Sequence, residues 1–156
     1  MLNSDYSDML RALSACDVKF MLVGGYALGA LGYPRATLDI DLWVMPSPEN
    51  AVAVMRALKL FGARMADISE ADFISEGTIF QIGVAPRRID IITKIDGVAF
   101  EDASRRAKVV ELAGASVRVL SLEDLLANKR ASGRLKDLAD VELLERLLAD
   151  KDNSGA

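Results

Sequence analysis

A short apolar run from Val18 to Val23 stops at Gly24-Gly25, and an alanine- and leucine-rich stretch from Tyr26 to Leu31 begins directly behind it. The run reads as a buried strand and the following residues as a helix entered without a linker. Gly32, Tyr33 and Pro34 then break that helix. Glycines at such a junction let the backbone turn tightly and let a ligand approach the peptide N–H groups at a helix start, where the macrodipole favours an anion. The same pair would equally serve as a sharp strand–helix turn.

The rest of the chain alternates in the same way. Residues 4–16 have an N-cap signal and helical spacing. Thr37 to Met45 reads as a second strand, and Pro48 to Phe61 as a helix capped by Ser47 with proline at its first position. Gly77 to Val84 and Arg88 to Lys94 are strand-like runs around a short turn, and Val109 to Leu112 with Ser116 to Leu120 form a hairpin about Gly114. Ser121 with Glu123-Asp124 opens one helix, and Leu135 to Leu148 forms another. The expected class is α/β (α+β), a mixed β-sheet flanked by helices with a C-terminal helical element. One domain is expected over residues 1–150, with a core of about 18–120, helices over about 121–149 and a disordered tail at 151–156. A chain of 156 residues, 51% of them hydrophobic, is large enough for its own core.

Composition narrows the chemistry. There is no histidine and one cysteine, Cys16, so common Ser-His-Asp, Cys-His and Cys/His-zinc arrangements are excluded, as is an internal disulfide. Acidic residues precede the apolar ones in Met1 to Met9, and no uninterrupted apolar stretch reaches roughly 18 residues, so neither a secretory signal nor a membrane span is expected. A soluble, cytoplasmic protein follows. Nineteen Lys and Arg stand against 23 Asp and Glu, a net charge of −4, where a nucleic-acid grip usually brings a basic surplus. Arg105, Arg106 and Lys108 read as solvated surface, although a polyanion could be held at such a face. Catalysis must rest on carboxylates, lysine, arginine and backbone groups.

Three aspartates stand out. On a strand Asp39 and Asp41 point to one face, with Leu38, Ile40 and Leu42 on the other. Two adjacent acids repel unless a hard divalent cation sits between them, or unless both face solvent on an edge strand. Asp90 interrupts the apolar run Ile89 to Ile92, and a buried carboxylate there needs a partner. That partner is a shared cation if its strand lies beside the one bearing Asp39 and Asp41, or Arg87 or Arg88 if it does not. Three acids on two strands with a glycine turn point to two-metal chemistry on a phosphorylated substrate.

Gly24-Gly25-Tyr26-Ala27 followed by Gly32, Arg35, Thr37, Asp39 and Asp41, with Asp90 later, resembles the nucleotidyltransferase superfamily of the DNA polymerase β type. Within it the chain is most similar to the small bacterial branch that holds AbiE-type toxins, minimal nucleotidyltransferases and lincosamide nucleotidyltransferases. Residues 121–129 with Arg134, Lys136, Asp137 and Asp140 look like that branch's helical element, so the likeness spans about 18–148. Tyr26 departs from it, since many relatives carry serine or a small residue there.

The resemblance implies transfer of a nucleoside monophosphate from an NTP, ATP among them, to a hydroxyl acceptor. Asp39, Asp41 and Asp90 would be the catalytic metal ligands for two Mg²⁺ (or Mn²⁺) ions, with Asp90 also assisting the acceptor hydroxyl. Gly24, Gly25, Tyr26, Arg35, Thr37 and Lys129 would bind the nucleotide phosphates, though Lys129 also reads as a solvated lysine and Arg35 as a partner for Asp39. Lys136, Asp137 and Asp140 have the spacing of an ordinary charge-paired helix face. Trp43 is expected in the core or a nucleotide pocket wall, and Cys16 as a small buried hydrophobe. The implied acceptor is tRNA, for a toxin restrained by an antitoxin protein. A small hydroxyl compound of antibiotic type is the competing acceptor, and a non-catalytic interaction module the third reading.

Overall fold

The computed structural model describes residues 2–33, 39–84 and 86–154. Helix α1 (Ser4–Ala15), capped by Asn3, leads into β1 (Phe20–Val23), all four residues of which are buried. Helix α2 (Gly24–Ala30) starts at the glycine pair itself. Strand β2 (Ile40–Val44) follows, then α3 (Pro48–Phe61), the short α4 (Glu70–Ile74), and the hairpin β3 (Ile79–Ile82) and β4 (Ile89–Ile92). Helix α5 (Phe100–Arg106), the hairpin β5 (Lys108–Leu112) and β6 (Ala115–Val119), α6 (Leu122–Ser132), a 3-10 turn over Leu135–Asp137 and α7 (Leu138–Ser154) complete the chain.

The six strands form one mixed sheet in the order β3-β4-β2-β1-β6-β5, flanked by helices. β1 runs antiparallel to β2, and β2 runs parallel to β4. β2 therefore lies inside the sheet, between β1 and β4, which explains the near-continuous apolar reading of all three. Their register aligns Val23, Asp41, Asp90 and Gln81 in one row across four strands. One position earlier and later the row is apolar, so the acids enter an otherwise hydrophobic sheet at a single level.

Polar side chains fix the ends of these elements. Ser47 caps α3, and buried Asn50 accepts the Lys19 N–H (2.8 Å) while donating to the carbonyls of Lys19 (3.0 Å) and Met45 (2.9 Å). It thus ties α3 to the entry of β1 and the exit of β2. Ser121 caps α6, and the Asp124 carboxylate on its first turn receives the Arg106 guanidinium. Arg106 is therefore a structural anchor, whereas Arg105, paired with Asp102 on the surface, is the solvated residue expected. Trp43 is buried edge-on against Phe100, in the core as expected, and Cys16 is only half-buried. Among the described residues no helix is long and apolar enough to cross a membrane.

Three expectations change. β2 begins at Ile40, so Asp39 stands just before the strand instead of within it. Helices α4 and α5 were not apparent in the sequence. The tail assigned to 151–156 is helical as far as Ser154, where Lys151 reaches back toward Glu123 on α6 (4.0 Å). Helix α7 thus continues past its last apolar residue, where the Lys151–Glu123 pair joins it to α6.

Candidate active site

The site is built where β1 ends. Gly24 has φ +70°, the left-handed region that costs a side-chain-bearing residue about 1–2 kcal/mol. A Cβ placed on it would stand 2.5 Å from Asp41 Oδ2. Both facts demand glycine: the backbone turns into α2 while pressed against a carboxylate. Val23 at the N-cap gives no side-chain hydrogen bond, so no side chain caps the first amides of α2.

Asp41 and Asp90 are paired across the parallel strands β2 and β4, with their carboxyls in hydrogen-bond contact. Burial, then the Asp90 charge and hydrogen bond, then the Asp39 charge, push the Asp41 pKa up to about 7 despite the opposing pull of Arg88. Two carboxyls this close cannot both ionise cheaply, so the pair retains a proton near neutrality. Asp39 is more open and accepts the Arg88 backbone N–H at Oδ1 (2.9 Å). The Arg88 guanidinium takes Asp90 in a fork, Nε to Oδ1 at 2.7 Å and Nη2 to Oδ2 at 3.2 Å, and lies 3.5 Å from Asp39 Oδ2. Those carboxylates raise the Arg88 pKa further, through the Asp90 hydrogen bonds first.

The opposite wall comes from the C-terminal helices. Lys129 on α6 is largely covered and places Nζ 3.1 Å from Asp137 and 3.4 Å from Asp140, both buried. Asp137 also accepts from Ser132 Oγ (2.6 Å) and Arg134 Nε (2.9 Å). Burial alone would raise the Asp137 pKa, but the Ser132, Lys129 and Arg134 hydrogen bonds outweigh it and hold it at about 2. The expected charge-paired face is therefore an interior clasp between α6 and α7, not a solvated surface.

A cleft of about 600 Å³ joins the two walls, lined by Gly24, Asp41, Arg88, Asp90, Lys129 and Arg134 among others. Gly25 lines a narrower gap shared with Gly24, Lys129 and Asp140. The predicted acids, glycines and lysine thus converge. Tyr26 does not line this cleft; its ring packs edge-on against Tyr6 at 5.4 Å. Arg35 and Thr37 lie outside the described residues. A second cavity of about 610 Å³, between Lys19, Arg105 and Arg118, opens at the far end of β1 and contains none of the predicted site residues. Sequence reasoning overlooked Ser132, and saw in Arg88 only a possible partner of Asp90. The Arg-x-Asp spacing on a strand, which puts both side chains on one face, was the available signal.

The donor set fits Mg²⁺ in kind, since carboxylate oxygen is its preferred protein ligand. The fit rests on the carboxylates of Asp41 and Asp90 side by side on adjacent strands with Asp39 near by, a concentration of negative charge that a divalent cation would relieve. Among the described residues no group of three acids already stands in metal-cage geometry, and Arg88 engages two of the three.

A profile of the family described as nucleotidyl transferase AbiEii toxin, Type IV TA system, matches residues 8–154. No curated protein matches the chain. Among solved structures, a candidate nucleotidyltransferase from Thermotoga maritima (TM1012) is similar at 20% identity and TM-score 0.55, with 96% of each chain covered. The antibiotic-resistance factor ANT(2'')-Ia is similar at 19% identity and TM-score 0.59, covering 95% of this chain and 85% of that one. These two likenesses show the nucleotidyltransferase fold.

Proposed function

The chain belongs to the AbiEii nucleotidyl transferase toxin family, and from that premise we propose that it transfers a nucleoside monophosphate from an NTP to a tRNA hydroxyl in a metal-dependent reaction. The observation that carries this reading is the alignment of Asp41 and Asp90 on adjacent strands, facing Gly24, with Lys129 on the other wall of one cleft. Bound Mg²⁺ would neutralise triphosphate charge and acidify the acceptor hydroxyl.

Asp39, Asp41 and Asp90 would hold that metal, and the Asp41–Asp90 pair must give up its proton to do so. Gly24 and Gly25 would present backbone N–H groups to the phosphates, with no side chain in the way. Lys129 would meet the triphosphate from the α6 side, its ammonium oriented by Asp137 and Asp140. Positioning and charge compensation supply most of the rate in such phosphoryl chemistry, which is why a chain without histidine can perform it. An antitoxin protein would be the partner, as the Type IV family description suggests.

The net charge of −4 favours one other acceptor class, a cationic small hydroxyl compound. Incubation with each labelled NTP and Mg²⁺, against total tRNA, protein and small aminoglycoside- or lincosamide-type acceptors, separates the two. Label is expected in tRNA, abolished by EDTA and by Asp41→Asn. Label confined to a small acceptor would replace the tRNA reading, and transfer that survives EDTA would overturn the metal reading.

A further inference from the structure

Arg88 is held differently at its two ends. Its backbone is fixed: the carbonyl accepts from the Ile40 N–H (3.0 Å) and the Tyr6 hydroxyl (3.3 Å), while its N–H donates to Asp39. Its guanidinium, about a third exposed in the cleft, is held by the carboxylates of Asp90 and Asp39. The same guanidinium thus holds two acids of the group, Asp39 and Asp90, and covers both oxygens of Asp90. Any divalent cation recruited by these acids needs the same oxygens.

Building on the metal-dependent reading above, we propose that Arg88 is a positioning residue that acts as an internal counter-ion latch. Its guanidinium keeps the acids compensated in the metal-free protein, must leave Asp90 and Asp39 when a divalent cation binds, and then swings on its anchored backbone toward the NTP phosphates. Charge-assisted, bidentate bonds are strong enough to hold the metal-free site together and are lost only against a competing charge. Guanidinium geometry suits phosphate oxygens as well as carboxylates, so the released fork has a second partner in the same cleft. Metal binding and nucleotide binding are thereby coupled through one side chain.

The test is Mn²⁺ titration of the full chain without nucleotide, read from the electron paramagnetic resonance signal of free Mn²⁺. Removing the competitor in Arg88→Gln is expected to tighten Mn²⁺ binding about ten- to a hundredfold, the worth of charge-assisted bonds that no longer have to break. Arg88→Lys, which keeps the charge and loses the fork, is expected in between and serves if the glutamine variant does not fold. The exposed neighbour Arg87→Gln makes the same change of charge and should stay within about threefold of wild type. A merely structural arginine would move the affinity the other way, because a loosened site binds metal less well. Unchanged or weaker binding in Arg88→Gln, or equal tightening in Arg87→Gln, overturns the latch alone. No Mn²⁺ binding by any variant, with or without NTP, overturns the metal-dependent reading and the latch with it.

Discussion

Replacing Gly24 by alanine separates the two demands that the site makes on this residue. The φ of +70° costs an alanine about 1–2 kcal/mol, which in a chain of this size lowers the melting temperature by roughly 2–8 °C. The new methyl would meet Asp41 Oδ2 at 2.5 Å, about 0.9 Å short of ordinary contact at 3.4 Å. The obstacle is the end of a side chain, not backbone, so the carboxylate gives way and the fold survives. In the proposed reaction the acid that yields is a metal ligand, and a displacement of about 1 Å in such a group would cost on the order of a hundredfold in rate. Nucleotide transfer should therefore fall about a hundredfold in a protein that still melts cooperatively. Gly29→Ala on the same helix is the control. It meets nothing within 4 Å, so it should stabilise by about 0.5–1 kcal/mol and leave transfer unchanged. Turnover of Gly24→Ala within threefold of wild type would refute the argument that Asp41 must sit against a bare backbone.

Two further predictions concern pH. Asp41 carries its proton in the fold up to about pH 7 but only to about 3.8 when unfolded. Its contribution is present below pH 3.8 and lost as pH rises to 7, up to about 4 kcal/mol at 1.36 kcal/mol per pKa unit. Urea midpoints in EDTA should accordingly fall between pH 5 and 8, and Asp41→Asn should flatten that slope; an unchanged slope would show that the pair does not share a proton. Asp137 has the opposite sign, since its pKa lies at about 2 in the fold against 3.8 unfolded. It contributes about 2 kcal/mol above pH 3.8 that disappears as pH falls through 2. Asp137→Asn should lower stability by about that amount at pH 7 in a denaturant titration, and an unaltered midpoint would dismiss the α6–α7 clasp.

What the sequence revealed depended on how local the cause was. Helix α3 could be read residue for residue, because Ser47 and Pro48 act within one turn and the apolar spacing runs through to Phe61. The β5–β6 hairpin followed from alternation around Gly114. For Asp90 the sequence left two partners open, a cation shared with Asp39 and Asp41 or a neighbouring arginine, because a carboxylate inside an apolar run says only that a partner is needed; the fold sets Asp90 beside Asp41 and also gives it Arg88. Arg88 was not resolved, because Arg-x-Asp spacing suits an isolated pair and a shared cluster equally well. Asp137 and Asp140 looked exposed for a related reason: the lysine that holds them lies on a different helix, and i, i+3 spacing says nothing about what covers a face. Helices α4 and α5, five and seven residues long, are too short for periodicity to distinguish from loop.

Gly24 and Lys129 lie more than a hundred positions apart, and the lysine is oriented only once Asp137 and Asp140 have folded over it. During synthesis, then, the ribosome releases Asp39, Asp41 and Asp90 well before the residues of the far wall. The wall closes at the very start of α7, when Asp140 in its first turn meets Lys129.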